Sequence, residues 1–270
     1  MVQSGELELR PGAGEASQAR GLYVYCVAPG SEETGLGPVG LDGRPVHTLA
    51  CEGLCALVHD CSAQPYQSRD PEVVAAWVLA HHHVVEAAWK RWGTVLPLTF
   101  NTIIRAEQGD AEEALTGWLK EQREALTVKL KALAGKSEYA VQVFWDSALV
   151  AKLVTESCPE IRKLGQEMAS KPRGLAYMYG QQLERLLARE MEALATERCQ
   201  AVYGCLSRWT DNVRLEKLTR GEDGRRMLIN LSCLVPRERC AALKSELDQV
   251  GNRAGYSVRL AGPLPPYSFC

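Results

Sequence analysis

The chain has 270 residues, 46% of them apolar and 24% charged, with a formal net charge of −2. That length allows two domains of ordinary size, and the composition is that of a globular protein. The near-neutral charge gives no pull toward nucleic acid or membrane, and no apolar run reaches the length of a bilayer span.

The opening MVQSGELELRPGAGEASQAR is polar and Gly-rich. It lacks a signal-peptide core, so nothing marks the protein for export. Residues 1–20 are expected to form a disordered extension. Gly21–Ala28 (GLYVYCVA) is aromatic and β-branched, as a buried strand is. Val46–Ala50 and Leu54–His59 read as a strand pair around Glu52-Gly53. Asp70-Pro71-Glu72 supplies an N-cap and a proline at the first helical position. The helix they start is expected to run to about Trp92 and stop at Gly93. It carries Val74, Trp77, Val78, His81, Val85 and Ala88 on one face. Thr94–Ile104 reads as strand and turn, with Pro97 at an edge or bulge. A second helix starts at Gly109-Asp110, shows a stripe of Leu115, Trp118, Leu119, Leu126, Leu130 and Leu133, and ends at Gly135. The domain boundary is placed there, giving an N-terminal α+β domain over 21–135.

The second half begins with a strand at Tyr139–Trp145. A helical region follows from about Asp146 to Arg208, broken near Lys171-Pro172-Arg173-Gly174. Strands are expected near Val213–Leu218 and at Met227–Val235, joined by a turn at 221–224. A helix fills Pro236–Val250 and a last strand is Tyr256–Ala261. The order β-α-β-β-α-β predicts a modified ferredoxin-like domain over 136–261 with an enlarged first crossover. The helix after Gly174 spans about 35 residues, or roughly 50 Å. Its stripe of Leu187, Met191, Ala195, Cys199, Val202 and Leu206 needs a neighbouring helix or another molecule.

Candidate chemistry is sparse. Three successive histidines, His81, His82 and His83, point about 100° apart on a helix and cannot converge on one ion. Exposed or half-buried helix histidines are the default. His82 and Glu86 have ligand spacing, but no third ligand lies near in sequence. Cys51, Cys55 and Cys61 form C-x3-C-x5-C, which is neither a zinc nor a ferredoxin spacing. Cys199 and Cys205, six apart on a helix, do not face one another. The ten cysteines are expected to be packed thiols. Gly35-Leu36-Gly37-Pro38-Val39-Gly40 matches G-x-G-x-x-G. Pro38 sits inside it and no helix opens after Gly40, so it reads as a loop and not a phosphate cradle. No phosphate-loop, nucleophile-elbow, zinc-protease or kinase motif occurs. Met227–Val235 carries no aromatic on which an RNA base would stack. These residues assign no catalytic, cofactor-binding or metal site.

The end of the chain is unusual. Gly262-Pro263-Leu264-Pro265-Pro266-Tyr267-Ser268-Phe269-Cys270 is apolar, and its prolines hold it extended. Burying each aromatic ring would contribute about 1.5–3 kcal/mol. Rather than a sticky remnant of the last strand, residues 262–270 are read as a strap packing between the two domains. Leu264, Pro265, Pro266, Tyr267 and Phe269 carry that structural role.

Five stretches in order resemble the gas vesicle F/L protein family. They are GLYVYCV, then Val95-Leu96-Pro97-Leu98-Thr99-Phe100-Asn101-Thr102, then Glu138–Trp145, then Gly174-Leu175-Ala176-Tyr177-Met178, and finally the Pro-Pro-Tyr-x-Phe tail. Thr99 stands where the family has Arg, Asn101 where it has Gly, and Leu264 where it has Trp. The resemblance covers about residues 21–270. It implies a non-enzymatic accessory or minor structural protein, located at the gas vesicle within the cytoplasm. Its implied partners are the small, very hydrophobic shell-forming subunit (GvpA-like) and other gas vesicle assembly proteins. It also implies two α+β domains joined through the tail, and no cofactor. The competing reading is a small-molecule- or metal-binding ferredoxin-like protein.

Overall fold

The computed structural model describes residues 20–105, 110–219, 221 and 224–270. The rest of the expected N-terminal extension, part of the 221–224 turn and Gly109 lie outside the described residues. Among the described residues the chain is a mixed α/β protein with seven α-helices and two antiparallel sheets. It divides into two compact units. One runs up to Ala88 and includes Leu98–Val128; the other comprises Trp89–Pro97 and Lys129–Cys270.

In the first unit, β1 (Arg20–Pro29) is buried along its length between its two ends, as its unbroken apolar run requires. It lies antiparallel to β4 (Leu54–Ser62), with an irregularity at Tyr25. β3 (Val46–Cys51) joins β4 through Glu52 and Gly53, both at positive φ, the geometry of a tight two-residue hairpin turn. β2 (Gly35–Gly37) pairs with β3 at the edge. α1 spans Pro71–Trp92, as expected: Asp70 Oδ1 accepts the Glu72 N–H at 2.9 Å, and Gly93 ends the helix at φ +75°. The short strand β5 (Leu96–Pro97) follows in the chain and is counted with the second unit; in the first, β6 (Ile103–Arg105) pairs with β1. The helix expected over 110–133 is two, α2 (Ala111–Glu121) and α3 (Arg123–Leu133), interrupted at Gln122; α3 is counted with the second unit from Lys129 on. Leu115, Leu119, Leu126, Leu130 and Leu133 are all buried, so the break re-aims the stripe without spoiling it.

In the second unit, β7 (Lys136–Asp146), β8 (Asn212–Leu215), β9 (Arg225–Pro236) and β10 (Tyr256–Leu264) form a sheet in the order β10-β7-β9-β8. Every neighbouring pair is antiparallel. Tyr139, Val141, Val143 and Trp145 alternate toward one face, the period of two that a half-covered strand needs. They pack with α4 (Ser147–Ser157), α5 (Pro159–Ala169), α6 (Arg173–Leu206) and α7 (Cys240–Gly251). The enlarged crossover breaks once more than expected, at Cys158-Pro159, because proline opens α5 and cannot continue α4. The helix expected from Pro236 begins as a 3-10 turn over Arg237–Arg239.

Candidate functional site

α6 is 34 residues long. Its stripe finds partners inside the unit: Ala195, Val202 and Leu206 are buried, and Leu187, Met191 and Cys199 pack half-buried on the same core. The pairing of α5 and α4 with α6 covers part of the rest. What remains outside is Leu175, Tyr177 and Met178 in the first turns and Tyr203 near the end.

Tyr203 lies on one wall of an open groove of about 520 Å3. Leu228, Ile229 and Leu231 of β9 form its floor, and Leu215 and Leu218 form the far wall. The groove exists because edge strand β8 has only four residues whereas β9 has twelve. Leu215 is 81% exposed, a large apolar side chain at a sheet edge. The Cys199 thiol donates to the Leu228 carbonyl at 3.3 Å, satisfying a backbone group at the irregularity in β9.

The tail lies on the same sheet. β10 runs on to Leu264, which pairs with Glu138 of β7. Gly262 is at φ +136°, and a Cβ there would meet the Tyr139 ring at 2.7 Å, so only glycine lets the chain pass. Pro265 and Pro266 are buried; Leu264, Tyr267 and Phe269 are half-buried, with the Arg214 guanidinium 5.7 Å over the Phe269 ring. The anchor is polar and was not foreseen. Ser268 donates its backbone N–H to Glu138 Oε2 at 2.8 Å and its hydroxyl to Oε1 at 2.7 Å. Ser232 of β9 and Glu216, the residue after β8, extend this network. A lone acid in the apolar strand KSEYAVQVFW is the one sequence signal that pointed to it.

The first unit holds a second polar network. Tyr23 and Tyr25, two apart on β1, both reach histidines. The Tyr23 hydroxyl lies 2.9 Å from His81 Nδ1 and accepts the Asn101 N–H, so its own proton goes to His81. Tyr25 does the same between the Leu41 N–H and His59 Nδ1, at 2.8 Å. Each imidazole therefore carries its proton on Nε2. His59 donates it toward Tyr66, 3.0 Å away, and His81 toward the Leu98 carbonyl. Burial lowers both histidine pKa values from 6.5 to about 4, so both are neutral near pH 7. Their burial raises the two tyrosines above the usual phenol range.

The remaining sequence candidates scatter. His81 is buried with the apolar face of α1, beyond the exposed or half-buried default, while His82 is half-buried and His83 exposed. Among the described residues no three His, Cys, Asp or Glu side chains gather to hold an ion. All ten cysteines are thiols. Burial pushes Cys61 up to about 11 and Cys233 up to about 12, which suppresses the reactive thiolate. Gly35–Gly37 is strand and Leu41–Gly43 a 3-10 turn, so no helix N-terminus faces the G-x-G-x-x-G loop.

The family model for gas vesicle synthesis protein GvpL/GvpF matches residues 21–270. The chain belongs to the GvpL/GvpF family. Gas vesicle protein L2 of Halobacterium salinarum is 30% identical over 270 residues, covering 94% of this chain and 94% of the relative. Gas vesicle protein F of a Streptomyces species is 28% identical, covering 92% and 98%. The crystal structure of GvpF from Anabaena superposes with a TM-score of 0.74 at 21% identity, over 93% of this chain and 98% of that one. This GvpL/GvpF chain shows why Asn101 can stand where a glycine was expected. Its φ is +69°, a conformation that asparagine tolerates best after glycine. The side chain then clamps Tyr66 at both its N–H (2.9 Å) and its carbonyl (3.0 Å). Thr99, in place of arginine, closes the same turn through Thr102 and makes no ion pair.

Proposed function

We propose that this protein is an accessory or minor structural component of gas vesicles that binds the shell-forming subunit (GvpA-like) and assists nucleation or assembly. The observation that carries this reading is the family match along residues 21–270. The apolar side chains left exposed beside β8 and α6 support it, because a partner rich in apolar surface needs such a counterpart. The protein then acts by shielding that surface from aggregation and presenting it to the growing shell, inside the cytoplasm at the vesicle. Neither catalysis nor a cofactor enters this role.

The structural side of the proposal follows the strand order. The order β10-β7-β9-β8 is that of a ferredoxin-like sheet, and we read residues 136–261 as a ferredoxin-like domain with long inserted helices. The boundary near residue 135 and the strap role of residues 262–270 belong to the same proposal.

Co-expression with the shell-forming subunit followed by size exclusion tests the function. A soluble joint peak is the expected result. Separate elution, with the subunit aggregating as it does alone, would remove direct binding and leave a scaffold that needs further assembly proteins.

A further inference from the structure

A pocket of about 410 Å3 lies between α4, α6 and the turn that leads into β10. The turn is fixed in place. Tyr256 donates its N–H to the Arg253 carbonyl at 3.0 Å, and the Gly255 carbonyl accepts the Asp146 N–H at 2.7 Å. Gly255 is at φ +81°, and its Cα faces Leu149 and Val150 so closely that a Cβ would touch both at 3.4 Å. The Tyr256 ring stands edge-on to the buried Trp145, centroids 6.3 Å apart. The pocket is therefore preformed and does not depend on a mobile loop.

Its walls are apolar, from Leu153, Val154 and Leu194; its polar side chains are Ser157, Tyr256 and two arginines, which are its charged groups. Arg198 and Arg253 both line it beside the Tyr256 hydroxyl. Arg253 has no ion-pair partner among the described residues. Arg198 hydrogen-bonds the Tyr256 hydroxyl, and its ion-pair partner is Glu197, its neighbour on α6, at 3.6 Å and 67% exposed, a solvent-screened pair of little strength. Burial raises the Tyr256 pKa, and the two guanidiniums oppose that rise. Two guanidiniums and a phenol at the rim of an apolar pocket suit a carboxylate carried on an apolar stem. The apolar surface also continues beyond the pocket. Leu149 and Leu153, one helical turn apart on α4, are 39% and 41% exposed. That width exceeds a single small ligand and matches the i, i+4 spacing of a helix-on-helix contact.

We propose that this surface docks an amphipathic helix of a partner protein, with an acidic side chain set between Arg198 and Arg253 and leucine-sized side chains against Leu149 and Leu153. The inference deepens the proposed function and rests on its reading that the protein binds the shell-forming subunit.

The test uses the full chain co-expressed with that subunit. Arg198→Glu combined with Arg253→Glu is expected to reduce co-eluting subunit by about tenfold or more. Arg198→Lys with Arg253→Lys should retain most of it, and Arg189→Glu, on an exposed part of α6, should change it less than about twofold. Melting temperature and far-UV circular dichroism establish that each variant folds. If the glutamate pair unfolds the protein, the alanine pair replaces it. A wild-type complex that survives both substitutions undiminished overturns the docking site while direct binding stands. A wild-type chain that forms no complex overturns both. Hexanoate quenching of tryptophan fluorescence that needs both arginines, with the complex unaffected, assigns the pocket to a small carboxylate and also overturns the helix.

Discussion

Glu138 is 5% exposed, and a carboxylate so placed needs donors to remain in a sheet. Ser268 brings two of them, one from its backbone and one from its hydroxyl, across 130 residues of chain. This pair converts an extended apolar tail into a registered one, because the two oxygens fix both position and orientation. Ser268→Ala keeps the backbone donor and removes the hydroxyl. It leaves Glu138 Oε1 short of a donor. The expected loss is about 1–3 kcal/mol, read as a shift of the urea midpoint at unchanged slope. A midpoint within error of wild type would mean that water satisfies Glu138 without the tail. Asn101 shows the same economy in the first unit, where one residue supplies both a left-handed turn and a two-point clamp on Tyr66.

At the scale of elements, the tail contributes a strand end, two buried prolines and the Glu138 anchor at once. Removing Leu264–Cys270 is therefore expected to cost several kcal/mol, about 3 or more, and to make β7 and β10 more accessible to protease. Unchanged melting and unchanged cleavage would show that the tail merely rests on the sheet. The sequence made the existence of this segment legible through its prolines and aromatics. Pro265 and Pro266, named with Leu264, Tyr267 and Phe269 for that role, are buried and the other three half-buried; the Ser268–Glu138 hydrogen bonds join residues 130 apart and were not legible. Elsewhere, periodicity made the strands, α1 and the stripe of α6 readable, because apolar spacing is set by local geometry. The interruptions at Gln122 and Cys158 were missed for different reasons. Pro159 is itself a sequence signal for a break, since proline opens a helix and cannot continue one, whereas Gln122 carries none: the stripe continues through it in register. The His59–Tyr25 and His81–Tyr23 pairs were illegible because they join residues 34 and 58 apart, and only the packed sheet brings them together. The pocket at Arg198 and Arg253 was illegible for the same reason.

The whole molecule distributes its titratable burden unevenly. Its five histidines, at positions 47, 59, 81, 82 and 83, all lie in the unit that contains β1, β4 and most of α1. Two of them are buried neutral, with pKa values lowered to about 4 by burial. In the unfolded chain both return to about 6.5. Between those values the unfolded state binds more protons than the folded one, so stability rises with pH across this window. The contribution is fully present above about pH 6.5 and is lost progressively as pH falls toward 4, where the loss levels off. Protonation also has a structural cost, because a proton on Nδ1 displaces the hydroxyl proton that Tyr23 or Tyr25 places there. The first unit is thus expected to weaken on mild acidification before the second does. Hydrogen exchange followed by mass spectrometry at pH 7 and pH 4.5, corrected for intrinsic rates, reads this directly. Protection in β1, β4 and α1 should fall while that in β7 and β9 holds. His59→Gln with His81→Gln retains an acceptor for each tyrosine and removes the titration, so it should flatten the difference. Equal loss of protection in both units would mean that they unfold as one cooperative body and that the histidines act on the whole chain.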